Sequence, residues 1–334
     1  MEIVSILSQV ETVSILAKAC AMKILMFGRG VISTIYGQAL AAAGHDVEFY
    51  VRAGRADQYG THVETDIIDS RRSFRNQRVR KTFATTFRDS LEPSDAFDLV
   101  ILSVGHHRLT EAATFLAPRI GNATVLVFGN IWDEPLTAIT PLPADQVVFG
   151  FPQAGGGFSE DGELRGALFH SVIVGRASEA SHPRELIVRA AFQQAGIAVR
   201  EEADMRGWLF IHFAADAGMF AQGVHGGGLA SMIGNRQALR QALLTGRELL
   251  PVLEARGVRL RRHRRALVPM RLPAPVAAVM ALATTLAPIA RVSLAAHTDP
   301  FATEPRAILG DALFEARRLG ISVPRLEAAW RAVP

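Results

Sequence analysis

Lysine is almost missing from this chain of 334 residues. Of its 36 basic residues only Lys18, Lys23 and Lys81 are lysine, so arginine carries nearly all the positive charge. Any proton donor beyond Lys81 must therefore be another residue type. Cysteine occurs once, at Cys20, which excludes an intrachain disulfide and a thiolate metal cluster. A reducing, cytoplasmic setting is the expectation from that usage. The chain has no internal repeat and no helix-turn-helix, zinc-finger or RNA-binding signature, so nucleic acid is not an expected partner. The mildly positive net charge of +4 suits small anionic ligands instead. The opening segment, Met1 to Ala21, lacks the basic start and cleavage site of a secretory signal, and Glu2 and Glu11 argue against a transit peptide. Two readings of this extension stay open: a non-native start ahead of Met22, or a short helix docked outside. One run, Ala274 to Val292, is as long as a membrane span. It is rich in alanine and holds Pro275 and Pro288, so it is expected to be a buried helix, with no membrane partner.

What is present fits two domains. Strand-like and helix-like segments alternate through the first half. Lys23 to Gly28, Asp46 to Arg52, Phe97 to Val104, Ala123 to Asn130 and Asp145 to Phe151 read as strands, with His170 to Arg176 a last one at the junction. Nearly continuous apolar runs such as FDLVILSV belong to strands covered on both faces. This predicts a Rossmann-type, doubly wound α/β domain over 22–190. After about Arg200 helical spacing takes over, which predicts an all-α domain, 191–334, for substrate binding and dimerisation.

The stretch MKILMFGRGVISTIYG carries the phosphate-binding pattern. Gly28, Gly30 and Ser33 fill G-x-G-x-x-S directly after a strand and at the start of a helix. Gly28 permits the tight turn, and Gly30 lets the backbone approach a pyrophosphate on the helix N-terminus. Arg29, Val31 and Ile32 complete the expected cofactor-binding loop. The second strand ends FYVRAGR, with Arg52 where an NAD-binding fold places a carboxylate and Arg55 close behind. A guanidinium pairs with a 2′-phosphate, which predicts NADP(H).

These residues resemble the ketopantoate reductase family from Met22 onward. The opening through FYVR, the run DAFDLVILSV, the strand VLVFGN and the C-terminal ATEPRAILGDALFEARRLGISVP carry the likeness. The resemblance implies NADPH-dependent reduction of a 2-oxo acid or related ketone in a cleft between two domains. The second domain would be of the 6-phosphogluconate dehydrogenase C-terminal type. It also implies that Asn130 lies between nicotinamide and substrate, and that Ser293 and Glu304, the latter paired with Thr303, bind the substrate.

Two family lysines are missing. The place after the fourth strand reads SVGHHR, and the helix that carries the family's general acid has no lysine. That helix offers His212 and Asp216 instead, four apart and so on one face. A histidine is a suitable acid for a developing alkoxide, and the carboxylate would orient its ring. His212 and Asp216 are therefore the expected catalytic pair, with His297 as a second acid. A register based on Trp208 puts Phe210, Ala214 and Gly218 in the polar slots and supplies no acid. The alternative reading is a catalytically silent NADP(H)-binding sensor or scaffold. FPQAGGGFSEDGE, Phe151 to Glu163, reads either as a loop covering the substrate or as a flexible connection. The run RLRRHRR, Arg259 to Arg265, reads as a solvated loop. No histidine spacing suggests a metal.

Overall fold

The computed structural model describes residues 21–71, 77–176, 182–295 and 302–333. The extension before Ala21 and His297 lie outside the described residues. The chain opens with β1 (Lys23–Phe27), α1 (Val31–Ala41) and β2 (Asp46–Tyr50). There follow β3 (His62–Asp69), β4 (Gln77–Ala84), β5 (Thr86–Arg88), β6 (Leu99–Leu102), α2 (Leu109–Leu116), β7 (Thr124–Phe128) and α3 (Pro135–Ala138). Next are β8 (Val147–Phe151), β9 (Ala154–Phe158), β10 (Leu164–Leu168), β11 (Ser171–Arg176), α4 (His182–Gln194) and β12 (Ala198–Glu201). Helices α5 (Met205–Gly226), α6 (Arg236–Glu248), α7 (Leu250–Ala255), α8 (Val268–Arg271), α9 (Pro273–Leu286), α10 (Pro288–Ala295), α11 (Thr303–Arg318) and α12 (Pro324–Arg331) complete it. The Rossmann-type α/β region and the helical region are thus as the sequence predicts.

The main sheet runs β12-β11-β8-β7-β6-β1-β2-β5. All neighbours are parallel except β8 and β11. The apolar runs of its central strands divide by alternate residues. Ile24, Met26, Leu99, Ile101, Leu126 and Phe128 join the core under α1 and α4. Leu25, Val100, Leu102, Val125 and Val127 join the opposite one under α2. This period of two is why the runs lack polar residues: each face has its own helices to bury. The chain leaves β1 for β2 on one side and for β6 on the other, so a crevice opens above the carboxyl ends of β1 and β6.

A second sheet, β4-β3-β10-β9, corrects the expected loop at Phe151 to Glu163. That stretch is the strand AGGGF paired antiparallel with β10, with Gly162 at φ +80° in the turn. The sheet needs glycine to lie against α1. A Cβ on Gly156 would come within 2.5 Å of the Arg165 carbonyl oxygen and 3.2 Å of Val31, and one on Gly166 within 2.9 Å of Ile35.

Helix α5 is the centre of the second half. Asp204 caps it by accepting from the Gly207 N–H at 3.0 Å, and Gly227 ends it at φ +74°. Its buried residues fall on all sides but one. The exception is a stripe of partly exposed residues, Trp208, His212, Asp216 and Met219, at helical spacing. Helix α6 crosses α5 with backbones touching: a Cβ on Gly218 would collide with the Ala242 carbonyl and lie 2.7 Å from Gly246 N.

The expected single buried helix at Ala274 to Val292 is corrected as well. Ala287 is extended ahead of Pro288, and α9 and α10 meet at 98°. Val279, Leu282 and Leu286 on α9 are exposed. Among the described residues no single helix is long and apolar enough to cross a membrane, although this bent pair meets the test of length and composition.

The two regions are clamped by arginine. Arg206 of α5 forms two hydrogen bonds to Glu134, at 2.7 and 2.5 Å. The Arg206 hydrogen bond holds the Glu134 carboxyl below the usual range. Arg256 donates to the Trp132 carbonyl at 2.6 Å, with its guanidinium over the rings of Phe210 and Trp132.

The α5/α6 crossing gives the first prediction. Gly218→Ala should cost about 1–3 kcal/mol, because two helix backbones must separate for one methyl group. Urea unfolding that matches the parent would show that the crossing yields without cost.

Candidate functional site

The turn after β1 is held by two features. Gly28 has φ +98°, a conformation that favours glycine, and its N–H donates to the Tyr50 carbonyl at 2.9 Å. Gly30 caps α1, its carbonyl accepting from the Thr34 N–H and hydroxyl, both at 2.9 Å. A Cβ on Gly30 would meet nothing within 4 Å, so glycine here leaves space above the helix N-terminus rather than relieving a clash. Ser33 is fully buried and its hydroxyl has no partner. The close helix–strand contact falls one turn later, where a Cβ on Gly37 would lie 2.5 Å from Phe49 Cζ. Serine at the third position is therefore tolerated.

Arg29 is partly buried beside the turn. Its guanidinium stacks on Tyr59 and Phe158, 4.8 and 4.7 Å from the ring centroids, and burial lowers its pKa. Arg52 is exposed at the end of β2 and lines a cavity of about 480 Å³ with Arg55, Arg108, Tyr50 and Phe115. Gly28, Arg29 and Gly30 form its other side. Glu48 is engaged by Lys23 at 3.3 Å and by Arg88 at 3.1 Å. No carboxylate of β2 therefore faces this cavity.

The main cleft, about 1010 Å³, lies between the sheet and the helices. Gly30, Val31 and Ile32 form one end. Asn130, His212, Asp216, Ser293 and Glu304 also line it, though they come from a loop after β7 and from α5, α10 and α11. Asn130 Nδ2 donates to Asp216 Oδ2 at 2.8 Å, and Asp216 Oδ1 lies 3.5 Å from His212 Nε2. Asn130 Oδ1 is buried with no partner. Ser293 donates to the Ile289 carbonyl at 3.0 Å, and a Cβ on Gly155 would touch it at 3.7 Å.

Three neighbours were not foreseen. Trp208 stacks on His212, centroids 5.1 Å apart and planes at 10°, and Phe151 packs on it at 4.0 Å. The i, i+4 pair Trp208 and His212 was visible, but Phe151 comes from another strand. His106, in the SVGHHR segment, is buried and its Nε2 lies 2.8 Å from Asp311 Oδ2 on α11. Nothing in the sequence links residues 205 apart.

A cleft of this form fits a long cofactor across the carboxyl ends of β1, β6 and β7, with space left at Gly30 for phosphate oxygens. The residues are chemically competent for proton transfer at the His212 end.

Comparison with known proteins agrees with this fold. Residues 24–179 match the family model of ketopantoate reductase PanE/ApbA. The fold is shared with a 2-dehydropantoate 2-reductase from Geobacter metallireducens: TM-score 0.67, 16% identity, covering 93% of this chain and 98% of that one. D-mandelate dehydrogenase with NADH and anilino(oxo)acetate gives a TM-score of 0.66 at 14% identity, covering 93% of this chain and 97% of that one. A 2-dehydropantoate 2-reductase from Methylococcus capsulatus gives 0.58 at 19% identity, with 92% and 94% covered. No curated protein sequence matches the chain.

The hydrogen bond between Asn130 and Asp216 is open to test. Asn130→Asp would set two carboxylates at hydrogen-bond distance, costing about 1–3 kcal/mol at neutral pH. Like charge raises the folded pKa of the pair, so the loss should grow as pH rises through the carboxylate range and vanish below it. Thermal unfolding that is equally lowered at all pH values would refute this.

Proposed function

The chain carries a ketopantoate reductase family domain over 24–179, and on that premise we propose that it is an NADPH-dependent reductase of a 2-oxo acid or related ketone. The observation that carries this reading is the convergence of Asn130, His212, Asp216, Ser293 and Glu304 with the Gly30 end of the phosphate turn in one cleft. The cofactor, when bound, supplies a hydride to the carbonyl carbon. The carbonyl oxygen then gains negative charge and needs a proton.

His212 donates that proton from Nδ1, because its Nε2 faces Asp216. Asp216, on the same helix face, orients the ring and balances its charge. Trp208 and Phe151 hold the ring by stacking and keep water from its faces. Asn130 binds Asp216 through Nδ2 and so holds that carboxylate in place beside His212. Ser293 and Glu304 hold the substrate's far side. Arg52 and Arg55 pair with the 2′-phosphate, which favours NADPH over NADH.

The silent sensor reading makes the opposite forecast for turnover. His212→Gln should lower kcat about 100-fold or more against a panel of 2-oxo acids, with NADPH affinity kept. An unchanged kcat would remove His212 from the reaction, and no turnover by the parent with any ketone would favour the sensor.

The cofactor is tested separately by direct titration. Gly30→Ala should fold with stability within about 0.5 kcal/mol of the parent, since the methyl meets no protein atom. It should nevertheless weaken NADPH binding at least tenfold by filling the phosphate position. Arg52→Ala should cut the preference for NADPH over NADH by about tenfold. Equal binding by all three proteins would refute both assignments.

A further inference from the structure

The arginine run Arg259 to Arg265 takes no part in the reaction above, yet its position is fixed with care. His263, in its middle, is buried, and its Nε2 lies 3.0 Å from Asp204 Oδ2. The other oxygen of Asp204 caps α5. The run is thereby fastened to the first turn of the helix that carries Trp208 and His212.

A second cavity, about 720 Å³, lies against this run, and its wall includes Arg200, Arg261, Arg262, Arg264 and Arg265. It adjoins the main cleft, because Gln153, Arg200, Trp208 and His212 line both. Among the described residues Glu202 is the one carboxylate in its wall, and that side chain accepts from the Asp204 N–H at 3.0 Å. Against the effect of burial, the His263 hydrogen bond and, least of the causes, the Arg262 charge hold the Asp204 carboxyl below its usual range, whereas Arg200, Arg261, Arg264 and Arg265 form no ion pair with described residues. Arg200, Arg261, Arg262, Arg264 and Arg265 are exposed, yet they line a concavity that shares a wall with the proposed acid, and a concave cluster of one sign focuses the field on an incoming anion.

We propose that this cavity receives a second anionic group of the substrate, so that the substrate class is a 2-oxo acid with a distal carboxylate or phosphate. The proposal rests on the reductase reading. The ketone lies beside His212, the chain runs past Trp208, and the distal anion pairs with the guanidinium groups, with Arg200 at the junction. The size of the cavity suits the tail of a small molecule.

The test compares substrates of matched length: 2-oxooctanoate, 2-oxosuberate and 7-phosphono-2-oxoheptanoate, with the NADPH-loaded protein. The parent should show a kcat/KM for at least one dianion about tenfold above that of 2-oxooctanoate, and which one is preferred separates carboxylate from phosphate. In Arg261→Gln/Arg265→Gln that ratio should fall about tenfold, and the corresponding lysine variants should restore part of it. No preference for either dianion, or a ratio unmoved by the double variant, would overturn the proposal. So would pyrophosphate that binds the NADPH-loaded protein without competing with a dianion, because the arginines would then serve a separate anion. If no ketone is turned over, the reductase reading fails by itself. Calorimetric titration with the same three acids then still decides the anion site: equal or absent binding sinks it, and tighter dianion binding that depends on Arg261 and Arg265 upholds it.

Discussion

Everything at the cleft depends on the burial of α5. A helix packed on nearly all sides has no freedom to rotate, since any turn about its axis would bring Phe210, Phe213 or Ala217 out of the core. The stripe of Trp208, His212, Asp216 and Met219 is therefore presented at a fixed angle to the sheet. The glycine crossing with α6 fixes the helix from behind, and the arginines on Glu134 and Trp132 tie it to the loop after β7. Because Asn130 is on that same loop, its hydrogen bond to Asp216 spans the two regions.

The near absence of lysine has shaped the electrostatics. The cleft holds a ring packed against two aromatic neighbours and a carboxylate fixed by an amide. Planar groups dominate elsewhere too: Arg29 lies between two rings, and Arg256 lies over two more. Guanidinium groups remain charged when stacked and partly buried, which an ammonium group does less readily.

The parts of this architecture that follow local rules were legible in the sequence. Nearly continuous apolar runs made β1, β6 and β7 readable, and the G-x-G turn followed from its strand-turn-helix context. Asp216 and His212 could be paired by helical spacing alone. The second sheet could not be read, because AGGGF has the composition of a loop and becomes a strand only where α1 requires a surface without side chains. The break between α9 and α10 was present as Pro288 but was read as tolerable within one helix. The partners Phe151 and Asp311 were out of reach for another reason: each meets its histidine through tertiary packing, and no local pattern encodes such contacts.

Helix α1 is confined on both sides, by Phe49 against Gly37 and by Val31 and Ile35 against the glycines of the second sheet. The consequence is thermodynamic. The conformational freedom of the phosphate turn is surrendered during folding, so an anion that arrives at Gly30 meets amide groups already in order. A phosphate bound there as proposed would carry little entropic penalty from the protein.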